Sequence, residues 1–510
     1  MSSTKPEADI ISVHASPSQS ERSSARDEAL VFLDAHSEEA ISDEASLRAI
    51  RRKVDWRIPP ALACCYLVQN LDKFALNYAA VMGLPKDLRL HGNDFTNVAT
   101  AFFVAYIIAE IPNIYLLQRI PAAKWLALNI ILWGIATACT AATTNFTTLL
   151  ISRIFLGIFE ATTLPSSNTI ASQWYTKSEA APRYAYWFVG NAAAQTLGGF
   201  ISFGFQHMTN GALSGWRTMF LVFGILTVFV GIFVALFVPD TPMQCAFLSE
   251  TEKVSLLKHI STNQTGIRNQ KFKNSEIWEA IRDPQVWLFS IATICFSSSS
   301  GIVTTYSSTL IRNMGYSPKS AALLNTPSGA ISLISVLAAG YLTRVTPKHH
   351  RWLWISIPAL IAALGSALIS FLPPTSPKSA FLIGIWLINA ITACLPMLYH
   401  YVSVNVAGHT KRSFVNNLVA VSFGIGNVIG PQSFQAKDAP GYLPAKIVAL
   451  VTQGSTAVLM GGLVLWYVWE NGRRRKSFGD GDGGMGEREG GNEAWSGLTD
   501  RENREWRYVY

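Results

Sequence analysis

Five ionisable side chains stand inside long apolar runs of this 510-residue sequence: Asp72, Lys73, Glu110, Arg153 and Glu160. A charge in such a run is costly unless it is paired or meets a polar cavity, so each marks a candidate site. Arg153 and Glu160 are seven residues apart, two helical turns, and share one face with Gly157 between them. A guanidinium offers a planar fork to a carboxylate, and a desolvated carboxyl group on the same face suits proton exchange. In the run from Asn70 to Asn77, the positions Asn70, Lys73 and Asn77 form a narrow stripe while Asp72 points away. Lys73 is thus aimed at an anionic ligand and Asp72 at a neighbouring helix. For both groups the competing reading is a static charge network that only fixes helix packing. Glu110 precedes Pro112, which frees a backbone carbonyl, so it fits either a gate or proton relay or a simple helix kink.

Uncharged polar residues in similar runs are Asn191 and Gln195 on one face, Ser297 to Ser300 with Thr304, Asn325, Asn389 and His400. Each also fits ordinary packing. The candidate substrate-binding set is Lys73, Asn77, Arg153, Asn191, Gln195 and Asn389. The candidate proton-coupling set is Glu160, Asp72 and Glu110, and Arg119, Lys411 and Arg412 on basic connections form a candidate gating set.

The elements that position these residues follow from composition. Half the residues (49%) are hydrophobic and only 15% are charged, against roughly a quarter charged in a soluble domain. The charges crowd into the two ends, one central segment and short gaps between about twelve apolar stretches, each long enough to cross a bilayer as a helix. Expected spans are 57–80, 95–118, 125–143, 147–172, 183–206 and 216–238, then 286–311, 320–342, 352–372, 379–401, 413–436 and 446–469. Residues 1–50 and 477–510 are expected to be disordered tails, because they lack apolar periodicity. Residues 239–285 read as a linker with short surface helices. This is an all-α integral membrane plan, a six-helix half at 57–238 and another at 286–469, with the substrate site expected between them. Lys and Arg recur in alternate gaps, including Arg119 and Lys124, Lys177 and Arg183, Arg344 and Arg351, Lys411 and Arg412, and Arg473 to Lys476. That bias places both tails in the cytoplasm.

The net charge of +8 is spread over these loops, so it reports topology and not a nucleic-acid surface. The six cysteines lie mostly in apolar runs without metal or disulfide spacing. His349-His350 has no spaced partners, so no metal site is expected, and no cofactor motif is present. A phosphate loop is absent from the sequence, which argues against an ATP-driven pump. No nucleophile and base constellation sits at a membrane face, so no enzyme is expected. The sequon at Asn145 hugs the membrane and is expected to stay unmodified.

Several segments carry a family resemblance: Leu71-Asp-Lys73, Ala109-Glu-Ile-Pro112, Arg153 to Ala161, Trp174-Tyr-Thr-Lys177, Gly215-Trp-Arg217, Pro239-Asp-Thr-Pro242 and Asp283-Pro-Gln-Val-Trp287. The most specific are Ala407-Gly-His-Thr-Lys-Arg412, Gly426 to Gln432 and Asp438-Ala-Pro440. Over nearly all twelve spans the chain resembles the fungal allantoate permease family, anion:cation symporters of the major facilitator superfamily. The resemblance implies the major facilitator fold and import of organic anions or amides with protons. It also resembles animal organic-anion transporters at Lys73, Arg153 and Glu160, which implies anion contacts for the first two and a proton-linked acid for the third. The superfamily's loop motif G-x-x-x-D-R-x-G-R-R is only partly kept, with Ile114 and Gln118 at its Gly and Asp positions and Arg119 in place.

The expectation is therefore a monomeric, multi-pass secondary transporter, in the family's usual plasma membrane, coupling a small organic anion to protons: a ureido-acid, carboxylate, vitamin or dipeptide. A proton-driven exporter of a fungal secondary metabolite has the same features. A transporter-like nutrient receptor is the rival from another class, suggested by the tails.

Overall fold

The computed structural model describes residues 44–207, 213–261, 273–347, 350–373, 375–478, 499–502 and 506–509, and these are helical throughout, joined by turns. Helix α1 (Glu44–Asp55) buries Leu47, Ile50 and Val54, spaced by three and four, against the core near Ile58 and Trp174. The expectation of a disordered tail to residue 50 is corrected there: the apolar triad gives residues 44–50 something to bury. Residues 1–43 lie outside the described residues.

Helix α2 (Ile58–Met82) starts with Pro59 and Pro60 in its first turn, where no amide partner is needed, and stops at Gly83, whose φ of +108° suits only glycine. After the short α3 (Leu84–Asp87) come α4 (Asp94–Arg119), α5 (Ala122–Thr140), α6 (Phe146–Glu160), α7 (Thr163–Trp174), α8 (Lys177–Phe205) and α9 (Gly215–Phe237). Asn145 caps α6 by accepting from the Thr148 amide at 3.0 Å. Helices α10 (Glu250–Ser261) and α11 (Asn274–Ile281) lie in the linker. The second half holds α12 (Pro284–Asn313), α13 (Pro318–Asn325), α14 (Pro327–Val345), α15 (Leu353–Phe371), α16 (Lys378–Ile388), α17 (Cys394–Asn405), α18 (His409–Gln432) and α19 (Leu443–Phe478).

Among the described residues, ten segments are long and apolar enough to span a membrane, with α6–α7, α13–α14 and α16–α17 each acting as one broken span. The other two expected spans, first and fifth, are the helices α2 and α8, of 25 and 29 residues. They are less apolar because they carry Asn70, Asp72, Lys73, Asn77, Asn191 and Gln195.

Each half packs around its own apolar core, and close approach depends on small residues. A Cβ on Gly157 would lie 2.3 Å from the Phe102 carbonyl oxygen, so glycine there lets α6 press against α4. A Cβ on Gly329 would meet the Thr196 hydroxyl at 2.1 Å, which is how α14 approaches α8 across the halves. The halves meet along α2 with α12, α4 with α18, and α8 with α13 and α14.

Hydrogen bonds between the halves gather at the end remote from α1. Asn77 donates to Ser307 Oγ at 2.9 Å and accepts from the Ser308 amide at 3.0 Å. Asn93 donates to Gln435 at 2.6 Å, Thr96 and Tyr306 share a bond of 2.6 Å, and Gln432 donates to Thr100 at 2.8 Å. Gln195 donates to Asn389 at 2.9 Å nearer the middle. Among the described residues, no ion pair or side-chain hydrogen bond joins the halves at the α1 end. The bundle is closed at the far end.

The expectation of an unstructured tail from residue 477 is also corrected. Helix α19 runs to Phe478, and residues 499–502 and 506–509 pack on the second half. Tyr508 stacks on Tyr467 at 4.8 Å and joins the core, so the aromatic residues of the tail do what its polar stretch cannot. Residues 479–498 and 503–505 lie outside the described residues.

Candidate functional site

Helix α2 turns Lys73 toward α6, where its Nζ stands 2.9 Å from Glu160 Oε1 in a buried ion pair. Lys73 also lies 5.9 Å from the Tyr106 ring of α4, on the ring's electron-rich face. Two turns from Glu160 on the same α6 face, Arg153 is buried, and its Nε and Nη2 make no hydrogen bond to protein. Its guanidinium lies 5.1 Å from the Phe220 ring of α9. Glu110 of α4 is buried with Oε2 unpartnered, within electrostatic reach of Lys73. The structure thus brings Lys73, Glu110, Arg153 and Glu160 into one region of the first half.

Asp72 points the other way, into α5. It accepts from Trp133 Nε1 and, at 3.1 Å, from the Thr137 hydroxyl. Gln69, one turn before Lys73, is fully buried beside Glu160 with both amide atoms unpartnered. Sequence reasoning missed Gln69, although its spacing of four from Lys73 places it on the same stripe. It also missed Trp133 and Thr137, whose spacing of four on α5 could have named Asp72's partners.

The polar residues divide. Asn191 donates to Asn70 Oδ1 at 2.7 Å, within the first half. Asn77, Gln195 and Asn389 are occupied in bonds between the halves, and Asn325 donates to the Tyr78 hydroxyl at 3.5 Å. Ser298 and Thr304 return their hydroxyls to α12 carbonyls and Ser299 reaches Thr452 of α19 at 3.2 Å, so these three serve packing, whereas Ser297 Oγ is buried without a partner. His400 keeps Nε2 unpartnered.

Of the gating candidates, Arg119 is exposed and lies 4.6 Å from the Tyr115 ring. Arg412 donates to the Val406 carbonyl at 2.9 Å. Lys411 is fully buried, with Nζ 2.7 Å from Asp283, 2.7 Å from Asp500 and 2.8 Å from Glu279. Asp500 belongs to the tail and was not expected at any site. It also accepts from Gln285 at 2.9 Å and from the Tyr508 hydroxyl at 2.8 Å.

Two helical halves sealed at one end, with buried charges and unpartnered polar atoms on helices α2, α4 and α6, define a membrane-embedded transporter. The Major Facilitator Superfamily model matches residues 62–431, and the chain belongs to that superfamily. It is 36% identical over 474 residues to the Thiamine pathway transporter of Saccharomyces cerevisiae, covering 90% of this chain and 86% of that one. It is 31% identical over 494 residues to the Allantoate permease of the same yeast, covering 95% and 90%. Among solved structures, a bacterial homolog of the human lysosomal transporter Spinster, in an inward-facing and occupied conformation, superposes with a TM-score of 0.56. That match has 17% identity and covers 81% of this chain and 96% of the other, so it bears on the fold alone. The allantoate permease resemblance therefore holds, and the protein is a multi-pass membrane transporter and not an enzyme.

Proposed function

We propose that the protein is a proton-coupled symporter that takes up a small organic anion, with the α1 face in the cytoplasm of a plasma-membrane carrier. The observation that supports this most is the Lys73–Glu160 ion pair beside an Arg153 whose Nε and Nη2 have no protein partner. A substrate carboxylate completes the fork of Arg153. Protonation of Glu160 releases Lys73 to meet the same anion, so proton and anion binding reinforce each other. Glu110, near Lys73 and itself unpartnered, is the second acid of this pathway, whereas Asp72 is held on α5 and steadies α2. Asn191 lines the site, and the bond from Gln195 to Asn389 of the second half closes it. The basic loops flanking Arg119, Arg344 and Arg473 orient the chain. Bonds between the halves at the far end, and none among the described residues at the α1 end, fit a carrier open to the cytoplasm.

The test is uptake of a labelled panel into cells lacking their own permeases, at acidic and neutral pH, with and without a protonophore. The panel holds allantoate, other carboxylates, dipeptides and thiamine. Anion accumulation that is stronger in acid and collapses with the protonophore is expected. In Glu160→Gln the residual uptake becomes independent of pH. Preference for a cationic substrate, or unchanged pH dependence in that variant, defeats the proposal.

A further inference from the structure

Outside the central site, one cavity of about 460 Å³ opens between α1 and the segment that follows α9. It is lined by Ala49, Arg52, Lys53, Trp56, Arg57 and Phe247. We infer that this cavity is a binding site for the headgroup of an anionic phospholipid.

Position comes first. Arg57 is the last residue before the apolar helix α2, and Phe247 lies ten residues beyond the end of α9 at Phe237, so the cavity falls where two spans leave the bilayer. Trp56, between α1 and α2, is 74% exposed, and indoles at that depth prefer the headgroup layer. Charge comes next. Lys53 is paired with Glu252 at 2.6 Å, and Asp55 with Arg183 at 2.5 Å, so the nearby carboxylates are already engaged. Among the described residues Arg52 is exposed and makes no ion pair, and Arg57 is held 4.3 Å above the Phe247 ring. Phe247 in turn stacks on Trp174 at 5.8 Å, so that guanidinium has a fixed platform. Two cations therefore face the cavity without a carboxylate of their own. A phosphodiester with one further negative group matches them.

A protein partner fits less well. The apolar stripe of α1, namely Leu47, Ile50 and Val54, is already buried in this chain's core and leaves only charge and one indole on the outer face. The inference does not depend on the direction or the cargo of transport.

The experiment uses the full chain in nanodiscs of phosphatidylcholine with a rising fraction of phosphatidylserine, followed by native mass spectrometry of lipid retained on release. Retention of phosphatidylserine over phosphatidylcholine is expected. It weakens about fivefold for each of Arg52→Gln and Arg57→Gln, from the attraction one basic residue exerts on an anionic surface. Arg52→Lys with Arg57→Lys keeps it. Trp56→Ala lowers retention of both lipids with charge unchanged, which remains informative if the glutamine variants fold poorly. Equal retention of the two lipids overturns the inference, as does a glutamine double variant that folds and binds like the parent. Full displacement by inorganic phosphate would show a site for free phosphate and also overturns it.

Discussion

The two halves share a helical plan but differ in what they bury. The first half places Asp72, Lys73, Glu110, Arg153 and Glu160 deep in α2, α4 and α6, and the Lys73–Glu160 pair closes within that half. The second half, over the same depth, offers hydroxyls and amides such as Ser297, Ser332 and Asn389. Its buried charges lie at the α1 end, Lys411 among Asp283, Glu279 and Asp500, and Arg474 against Glu470. Rocking one half against the other thus breaks neutral hydrogen bonds and leaves every described ion pair intact. Moving an ion pair apart in a low-dielectric interior costs far more than exchanging a neutral bond. The asymmetry keeps the charge chemistry out of the moving seam.

The comparison breaks first at Arg153 and Asn389. Arg153→Gln is expected to lower anion uptake about 100-fold at low substrate, since a charge-assisted fork is lost. Asn389→Ala should lower it about tenfold or less, as a neutral hydrogen bond is lost. Equal losses in the labelled-uptake assay would remove the division of labour. Next, Asp500→Asn should destabilise the second half by about 3 kcal/mol, because Lys411, Gln285 and the Tyr508 hydroxyl lose a charged acceptor. Thermal unfolding and limited proteolysis of the purified protein measure this, and cleavage confined to the second half is expected.

At the seam, Asn77→Ala deletes two buried bonds to α12 and should shift the balance between closed and open far ends by about 30-fold. Reaction of a cysteine placed at Thr304, one turn along α12, with an impermeant reagent reports it, and an unchanged rate would show that the far end is held by packing alone.

The smallest effect is expected at Glu179, which pairs with Arg51 at 2.9 Å and His259 at 3.0 Å on the α1 face. Burial pushes this carboxyl up, but the Thr176 amide and His259 outweigh it and hold it below the ordinary carboxylate value. A depressed folded value means the contribution is present above the unfolded pKa of about 4 and fades as pH falls through the folded one. Glu179→Gln should therefore cost under about 1 kcal/mol at neutral pH and nothing in strong acid, in melts across pH.

The charged residues were legible in the sequence because a membrane makes them conspicuous: Arg153 and Glu160 share a face by spacing alone. Asp72 was read as turned toward a neighbour, and α5 supplies that neighbour in Trp133 and Thr137. Gln69 was overlooked because an uncharged amide among apolar residues carries no comparable signal. The polar residues of α2 and α8 were taken for ligand contacts, but Asn77 and Gln195 bond across the seam, and which helices meet is a tertiary fact. Asp500 was hidden for another reason. Its partners, Asp283, Gln285 and Lys411, are far away in sequence, and the intervening polar stretch gives no period to connect them.

That tail also bears on how the protein is made. Asp283 and Glu279 precede Lys411 in the chain whereas Asp500 follows it, so this cluster is completed only after every span of the second half has been made. A chain cut before Asp500 keeps every span but loses one carboxylate of Lys411 and an acceptor of Gln285.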